Sequence, residues 1–427
     1  MNCMTYELAY GKDKLMFTLP EGVKPIVIVP NEKPGLPDPL GATRKAVADP
    51  IGTPPLADML KSAQPKTVVV VVNDITRPTP YAIMLPPLLE AFAAAGIKDN
   101  QVTFLVATGI HDPHTDQENR DIYGDEIVDR FKVISHDAFA EDTHVYMGKF
   151  KSGYDFYMNK MAREADFLIT LGVVMPHYFA GYSGGRKSIL PGLAGKDTVT
   201  KNHARMVELM DNLPPIDANP VSLEMIEAAR QVGVKFIINV VVNDKQEVVA
   251  VVAGDMEKAW RQAMDVSSAM FEVPFDKQVD ICVTCASGYP RDINAYQTQK
   301  ALDHADRITR PGGTIILAAE CPTGYGEKVF QEWMSRRWTP AKVMEELKKN
   351  FVMGGHKAYG FAKVAAEKEY YLISAMNCED TELLYAKKTA TVQEAVDAAV
   401  ARHGENATWA YMPAGSVSLP VPRQDAK

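Results

Sequence analysis

The chain has 427 residues, 46% hydrophobic and 23% charged, with a formal net charge of -8. That length exceeds one ordinary core and predicts two domains of globular composition. The acidic balance, with no long Lys/Arg run, speaks against a nucleic-acid partner, and the longest apolar runs fall far short of the ~20 residues that cross a bilayer, so no membrane partner is expected either.

The N-terminus, MNCMTYELAYGKDKLMF, lacks a basic-then-apolar leader pattern, and a cytoplasmic location is expected. TYELAYGKDKLMFTLP alternates around Gly11 and reads as an edge hairpin. The Pro-, Gly- and Asp-rich stretch from Pro30 to Pro55 reads as mostly loop. Apolar strands then alternate with helices. KTVVVVVND precedes TRPTP and the helical MLPPLLEAFAAAG, QVTFLVATG precedes IHDPHTDQENRDIYG, and ADFLITLGVV precedes MPHYFAGYSGGRKS. FIINVVVN and the helix DMEKAWRQAMDVSSAMFE close this first block. A second block begins near Phe275, with strands VDICVTCASG, TIILAAEC and KEYYLISAM and helices AYQTQKALDHADRI, PAKVMEELKKNF and TVQEAVDAAVARHG. Continuous β-branched strands between helices predict an α/β fold with largely parallel sheets. The expected division is an N-terminal α/β domain over 1–272 and a C-terminal α/β domain over 273–427, the last residues, PVPRQDAK, being frayed.

Five scattered cysteines do not form a disulfide framework. Cys282 and Cys285 make a lone CxxC inside an apolar run, and two strand cysteines explain it better than zinc.

In open α/β sheets, ligands bind beyond the carboxyl ends of the strands. Three polar clusters fall there: Asp74, Thr76 and Arg77 after VVVVV, His111 and His114 after FLVA, and His177 after LITLGVV. Singly, each has a structural explanation. Arg77 suits a surface ion pair, Asp74 a helix cap, the histidines loop hydrogen bonds, and Gly181, Gly184 and Gly185 tight turns. Together they point to one shared site. AGYSGGRKSILPG looks like a phosphate loop, but Arg186 stands where G-x-x-x-x-G-K-[ST] needs glycine. Either the glycines are ordinary turn residues, or Lys187 is presented for another chemistry. His203 lies in a predicted helix without an HxxxH or HExxH partner, which disfavours a protein-built zinc site. Spacing alone reads it as a solvent-facing helical histidine.

These residues carry a resemblance. DITRP at Asp74–Pro78, TGIH at Thr108–His111, HYFAGYSGGRKSILPG at His177–Gly192, the Asn202-His203 pair, YPRDINAYQTQK at Tyr289–Lys300 and GGHKAY at Gly354–Tyr359 resemble, in order, the motifs of nickel-dependent lactate racemases and related 2-hydroxyacid racemases and epimerases. The resemblance implies two α/β domains with the active site between them. It implies that Lys187 is joined through a thioamide to a nickel-pincer nucleotide, the Ni(II)-pyridinium-3-thioamide-5-thiocarboxylic acid mononucleotide. His203 then supplies the remaining nickel ligand, and a sulfur, carbon and imidazole donor set suits Ni(II). Asp74, Ile75, Thr76 and Arg77 are implied to bind the nucleotide. His111 and His177 match the family's pair of opposed bases, and an imidazole suits proton exchange near neutrality. Arg77, Gln297 and Lys300 are implied to bind the substrate carboxylate, with Tyr296 lining the pocket.

The implied activity is racemisation at C2 of a 2-hydroxyacid by reversible hydride transfer. The substrate is lactate or a relative such as malate, 2-hydroxyglutarate, an aromatic hydroxyacid or an aldonate. The implied partners are the enzymes that carboxylate the cofactor precursor and insert its sulfur and nickel. Ile75 departs from the lactate enzymes, which carry a basic residue there, and the GGHKAY segment with His356 and Tyr359 is expected near their specificity tryptophan. A kinase or ligase phosphate loop is disfavoured by Arg186. A non-catalytic nucleotide sensor or cofactor carrier does not need both His111 and His177.

Overall fold

The structure is a computed structural model that describes residues 4–209 and 213–423. It divides into two compact units, one spanning Glu32–Ala269 and the other joining the described residues up to Asn31 to those from Met270 onward.

The unit spanning Glu32–Ala269 holds a six-stranded sheet. Its order is Val248–Gly254, Phe236–Val242, Phe167–Val173, Val68–Asn73, Val102–Ala107 and Lys132–Ser135. All neighbours are parallel except the Val248–Gly254 edge, which the sequence reading did not separate as a strand. The Val68–Asn73 strand sits between two others, so its valines are buried on both faces, which explains the unbroken apolar run. Val70, Val72, Phe104, Ile169 and Ile238 share one core with Met84, Leu88 and Phe92 of helix α1 (Tyr81–Ala95). Helices α2 (Lys196–Ala204) and α3 (Pro220–Val232) follow the glycine-rich loop.

The other unit holds a wholly parallel sheet in the order Lys387–Lys388, Glu369–Ile373, Thr309–Ala318, Val279–Cys285, Trp409–Met412 and Ile26–Val27. Helix α4 (Ala295–Ile308) follows the Val279–Cys285 strand, and α5 (Gly355–Glu367) packs against it.

Three expectations change. Residues 4–31 do not join the 1–272 block, because Leu8 and Phe17 of the hairpin sit in the core with Ile281, Val283 and Ile316, and Ile26–Val27 pairs with Trp409–Met412. The stretch read as loop contains a helix, Pro39–Ala48. The Asp38 side chain accepts from the Gly41 N–H and caps it, proline begins it, and Thr43 and Val47 are buried. Of the segment expected to fray, Pro420–Pro422 pairs with Val273–Phe275, while residues 424–427 lie outside the described residues. Cys282 and Cys285 are buried strand thiols, as read; burial raises their pKa to about 12 and about 11. Cys3 lies outside the described residues. No described helix is long and apolar enough to cross a membrane.

Candidate functional site

Beyond the carboxyl ends of the Val68–Asn73 and Val102–Ala107 strands, two turns meet. Asp74 is buried. Its Oδ1 accepts from the Thr76 hydroxyl at 2.7 Å, and its Oδ2 lies 2.6 Å from His111 Nδ1. Burial pushes the carboxyl up, but the hydrogen bonds from His111 and Thr76, with the charges of His111 and Arg77, hold it below the usual carboxylate value. The bond fits an Nδ1–H donated to the carboxylate, which leaves His111 Nε2 available. Asp74, expected to contact the nucleotide, lines the cavity and holds its carboxylate against His111. His114 is structural: its Nε2 accepts from the Ile75 N–H at 3.0 Å, and its Nδ1 faces Asn119 Oδ1 at 3.1 Å. Ile75 itself is an exposed side chain. Arg77 is also exposed, with Nη1 donating to the Thr76 carbonyl at 3.3 Å.

A cavity open to solvent, with about 500 Å³ of space including solvent, is lined by Asn73, Asp74, Arg77, Ala107, Thr108, His111, Val173, Ser183, Lys187, Ser188, Pro191 and neighbouring glycines. The loop that delivers Lys187 is held by its own sequence. Gly184 has φ 75° and ψ 180°, a conformation open essentially to glycine, and a Cβ there would fall 2.5 Å from Val174 Cγ2. Asn239 Oδ1 accepts from the Gly185 N–H at 2.8 Å. Arg186 is the anchor. Its guanidinium is fully buried, stacks 3.7 Å from the Trp260 ring, and donates to the Tyr182 carbonyl (3.0 Å), the Ala180 carbonyl (2.9 Å) and the Ser222 hydroxyl of α3 (2.9 Å). Trp260 Nε1 in turn donates to the Ser183 carbonyl at 2.9 Å. The residue that spoils the phosphate-loop pattern is thus the one that pins the loop.

Lys187 keeps some surface on the cavity but is otherwise enclosed. Burial, then the charges of Arg77 and Arg186, push its amine well below the ordinary lysine range, which favours a neutral, nucleophilic nitrogen.

His203, on α2, is not the solvent-facing histidine that spacing suggested. Burial and the charge of Lys187 lower its pKa to about 3, against a smaller opposing effect of the Val199 carbonyl. Its Nδ1 is buried without a hydrogen-bond partner among the described residues. The flanking Asn202 and Arg205 both bond the buried Glu224 carboxylate of α3, Asn202 at 2.9 Å, so the histidine's helix is tied down on either side. Among the described residues no group of three or more His, Cys, Asp or Glu could hold a metal.

His177 is half-buried, with Nδ1 accepting from the Ala180 N–H at 3.3 Å. Phe179 joins these elements. Its ring centroid lies 4.6 Å from that of His177, 5.0 Å from that of His203 and 5.8 Å from Lys187 Nζ. Asp74, Arg77, His111 and Lys187 therefore share a cavity, while His177, Lys187 and His203 gather around Phe179. Phe179 was quoted in the motif but given no role, because an aromatic in a loop reads as packing.

Tyr296, Gln297 and Lys300 lie in the other unit, half-buried near the start of α4. Lys300 Nζ donates to Gln297 Oε1 at 2.9 Å. His356 and Tyr359, expected near the substrate, are buried in α5 at 5% and 2% exposure, and His356 Nδ1 accepts from the Gly354 N–H. The residue missed between them is Lys357.

Residues 10–212 match the family described as lactate racemase N-terminal domain, and residues 275–420 match the lactate racemase C-terminal domain. A lactate racemase of Thermoanaerobacterium thermosaccharolyticum is 35% identical over 349 residues, 80% of each chain. A lactate racemase of Lactiplantibacillus plantarum is 32% identical over 387 residues, 87% of this chain and 88% of that protein. The structure of the lactate racemase apoprotein from T. thermosaccharolyticum superposes with a TM-score of 0.89 at 30% identity, covering 99% of this chain and all of that one.

Proposed function

The chain belongs to the lactate racemase family, and on that premise we propose that it interconverts the enantiomers at C2 of a 2-hydroxyacid, lactate or a close relative, by reversible hydride transfer with a nickel-pincer nucleotide joined to Lys187. One observation carries the reading: an Asp74-oriented imidazole, His111, opens on the same cavity as the depressed amine of Lys187.

The residues present fit such a cofactor. Lys187 offers an amine that burial holds well below the ordinary lysine range, and His203 an imidazole pushed down to about 3, with a buried nitrogen lacking a partner among the described residues. One histidine falls short of a protein-built metal site, so the other ligands must come from the bound group itself. When bound, the nickel-pincer nucleotide supplies the acceptor and donor of the C2 hydride.

The chain's own groups handle binding and protons. His111 Nε2 takes the hydroxyl proton of one enantiomer, and Asp74 stabilises the imidazolium that forms. His177 serves the other enantiomer, which presents its hydroxyl oppositely. The substrate carboxylate is assigned to Arg77 on this cavity; the parts of Gln297, Lys300 and Tyr296, on α4 of the other unit, rest on the resemblance alone. Loading depends on enzymes that carboxylate the precursor and insert sulfur and nickel. The test is chiral analysis of single enantiomers of lactate, malate, 2-hydroxyglutarate, phenyllactate and gluconate after incubation with cofactor-loaded protein. Failure to racemise any 2-hydroxyacid overturns the reading.

A further inference from the structure

His114 takes no part in the proton transfers assigned above, yet its ring joins the two turns that build the Asp74–His111 pair. Residues Asp74 to Arg77 form a turn closed by the Arg77 N–H, which donates to the Asp74 carbonyl at 3.1 Å. The Ile75 N–H donates instead to His114 Nε2, at 3.0 Å. An amide N–H only donates, so Nε2 carries no proton and the ring proton sits on Nδ1. Nδ1 then donates to Asn119 Oδ1 at 3.1 Å. Asn119 is buried on the helix Asp116–Tyr123. The His114 N–H donates to Ser135 Oγ at 3.0 Å. Its ring stacks against Tyr123, whose hydroxyl donates to the Asn73 carbonyl at 2.6 Å. The tautomer and the ring plane of His114 are thus set from outside the cavity.

We propose that His114 is a positioning residue for the base: it ties the Asp74 turn to the loop that carries His111, and so holds the Asp74 carboxylate in line with His111 Nδ1. The proposal rests on the racemase reading. Two bonds cross between the same short segments. One runs from His111 Nδ1 to Asp74 Oδ2 at 2.6 Å, and the other from the Ile75 backbone to His114. The Ile75 nitrogen shares a rigid peptide plane with the Asp74 carbonyl, so fixing that N–H fixes the backbone from which the carboxylate projects. A single bond would leave the turn free to pivot about it. The His111 side chain is half-exposed, so its aim depends on these bonds rather than on enclosure. Without the His114 acceptor, Asp74 and His111 remain but lose their alignment, and a small misplacement at a reacting group is costly. A loop histidine that only stiffens the fold lowers stability without acting through Asp74.

The experiment is a double-mutant cycle, read as chiral turnover per chain carrying the Lys187 adduct. His114→Asn offers an amide near the Nδ1 position and nothing at Nε2, while His114→Gln returns an oxygen at Nε2. His114→Asn should lower kcat roughly tenfold with KM little changed, and His114→Gln should stay within about threefold of wild type. In the Asp74→Asn background, His114→Asn should cost no more than about twofold further, because the group it positions is already gone. A second readout needs no turnover. Nitrogen NMR of isotope-labelled histidines in the unloaded protein should show His111 as the Nδ1–H tautomer in wild type and as mixed tautomers in His114→Asn. Where His114→Asn does not fold, Ile75→Pro replaces it, since proline suits the second position of the turn and deletes the N–H. Three results each overturn the proposal and leave the racemase reading intact: a His114→Gln no better than His114→Asn, an equal loss with and without the Asp74 carboxylate, or an unmoved His111 tautomer. A wild-type enzyme that turns over no hydroxyacid removes both.

Discussion

Replacing Asp74 with asparagine keeps the shape of the side chain and removes its charge. If the amide nitrogen turns toward His111, the imidazole proton moves to Nε2 and the base is lost. If the amide oxygen turns there, the geometry survives without the ion pair. The contact is 2.6 Å between Nδ1 and Oδ2, and with charge centres about 4 Å apart at an effective dielectric near 20 the attraction to an imidazolium is roughly 4 kcal/mol. The His111 side chain is 50% exposed, which lets water share the work; we reduce the figure to about 2–3 kcal/mol. That predicts a fall in kcat of about 30- to 150-fold. The assay is chiral turnover divided by the fraction of chains carrying the Lys187 adduct, read by intact mass. Asp74→Asn that keeps kcat within about threefold of wild type at full loading refutes the dyad, since uncoupling a base from its orienting group costs far more. A loss confined to loading would return Asp74 to the nucleotide contact that the resemblance implied. The same variant has a pH signature. The Asp74 pKa is depressed in the folded state, so its contribution to stability is full above the ordinary carboxylate range and is lost as pH falls through the folded value. Asp74→Asn should therefore flatten the acid limb of the stability curve.

Lys187→Ala should abolish the covalent adduct in intact-mass spectra, and an adduct that persists places the attachment elsewhere. Arg186→Met should lower the thermal midpoint, with a loss of about 2–4 kcal/mol as buried acceptors lose their donor, and circular-dichroism melting checks it. His111→Ala and His177→Ala should each suppress net racemisation while one half-reaction survives as a single reduction of the cofactor; undiminished racemisation by either variant removes that residue as a base.

Much of this was legible along the chain because periodicity and strand-end placement are local signals. The valine run declared a doubly buried strand, and of the polar residues after three strands, Asp74, Arg77 and His111 line one cavity. What escaped was set by partners distant in sequence. Asp74 and His111 are 37 residues apart, and nothing local says that the carboxylate serves the imidazole rather than a ligand. Arg186 announces only that a phosphate loop is spoiled; its purpose needs Trp260 and Ser222. His203 looked solvent-facing because its cover comes from Phe179. The Pro39–Ala48 helix was hidden in a proline-rich stretch, although Asp38-Pro39 is itself a helix-start signal. The N-terminal hairpin was assigned to its sequence neighbours, although its apolar face belongs with Ile281 and Ile316.

The most direct test of the account is racemisation of a single enantiomer in D2O. Under the proposed hydride transfer, the hydrogen leaving C2 would not exchange with solvent, and His111 and His177 would handle only the exchangeable hydroxyl proton. The product should keep protium at C2, C2-deuterated substrate should keep its label, and acid quenching should release a small amount of 2-ketoacid. Substantial solvent deuterium at C2 would contradict the roles given to the cofactor and to both histidines, even with the Lys187 adduct in place.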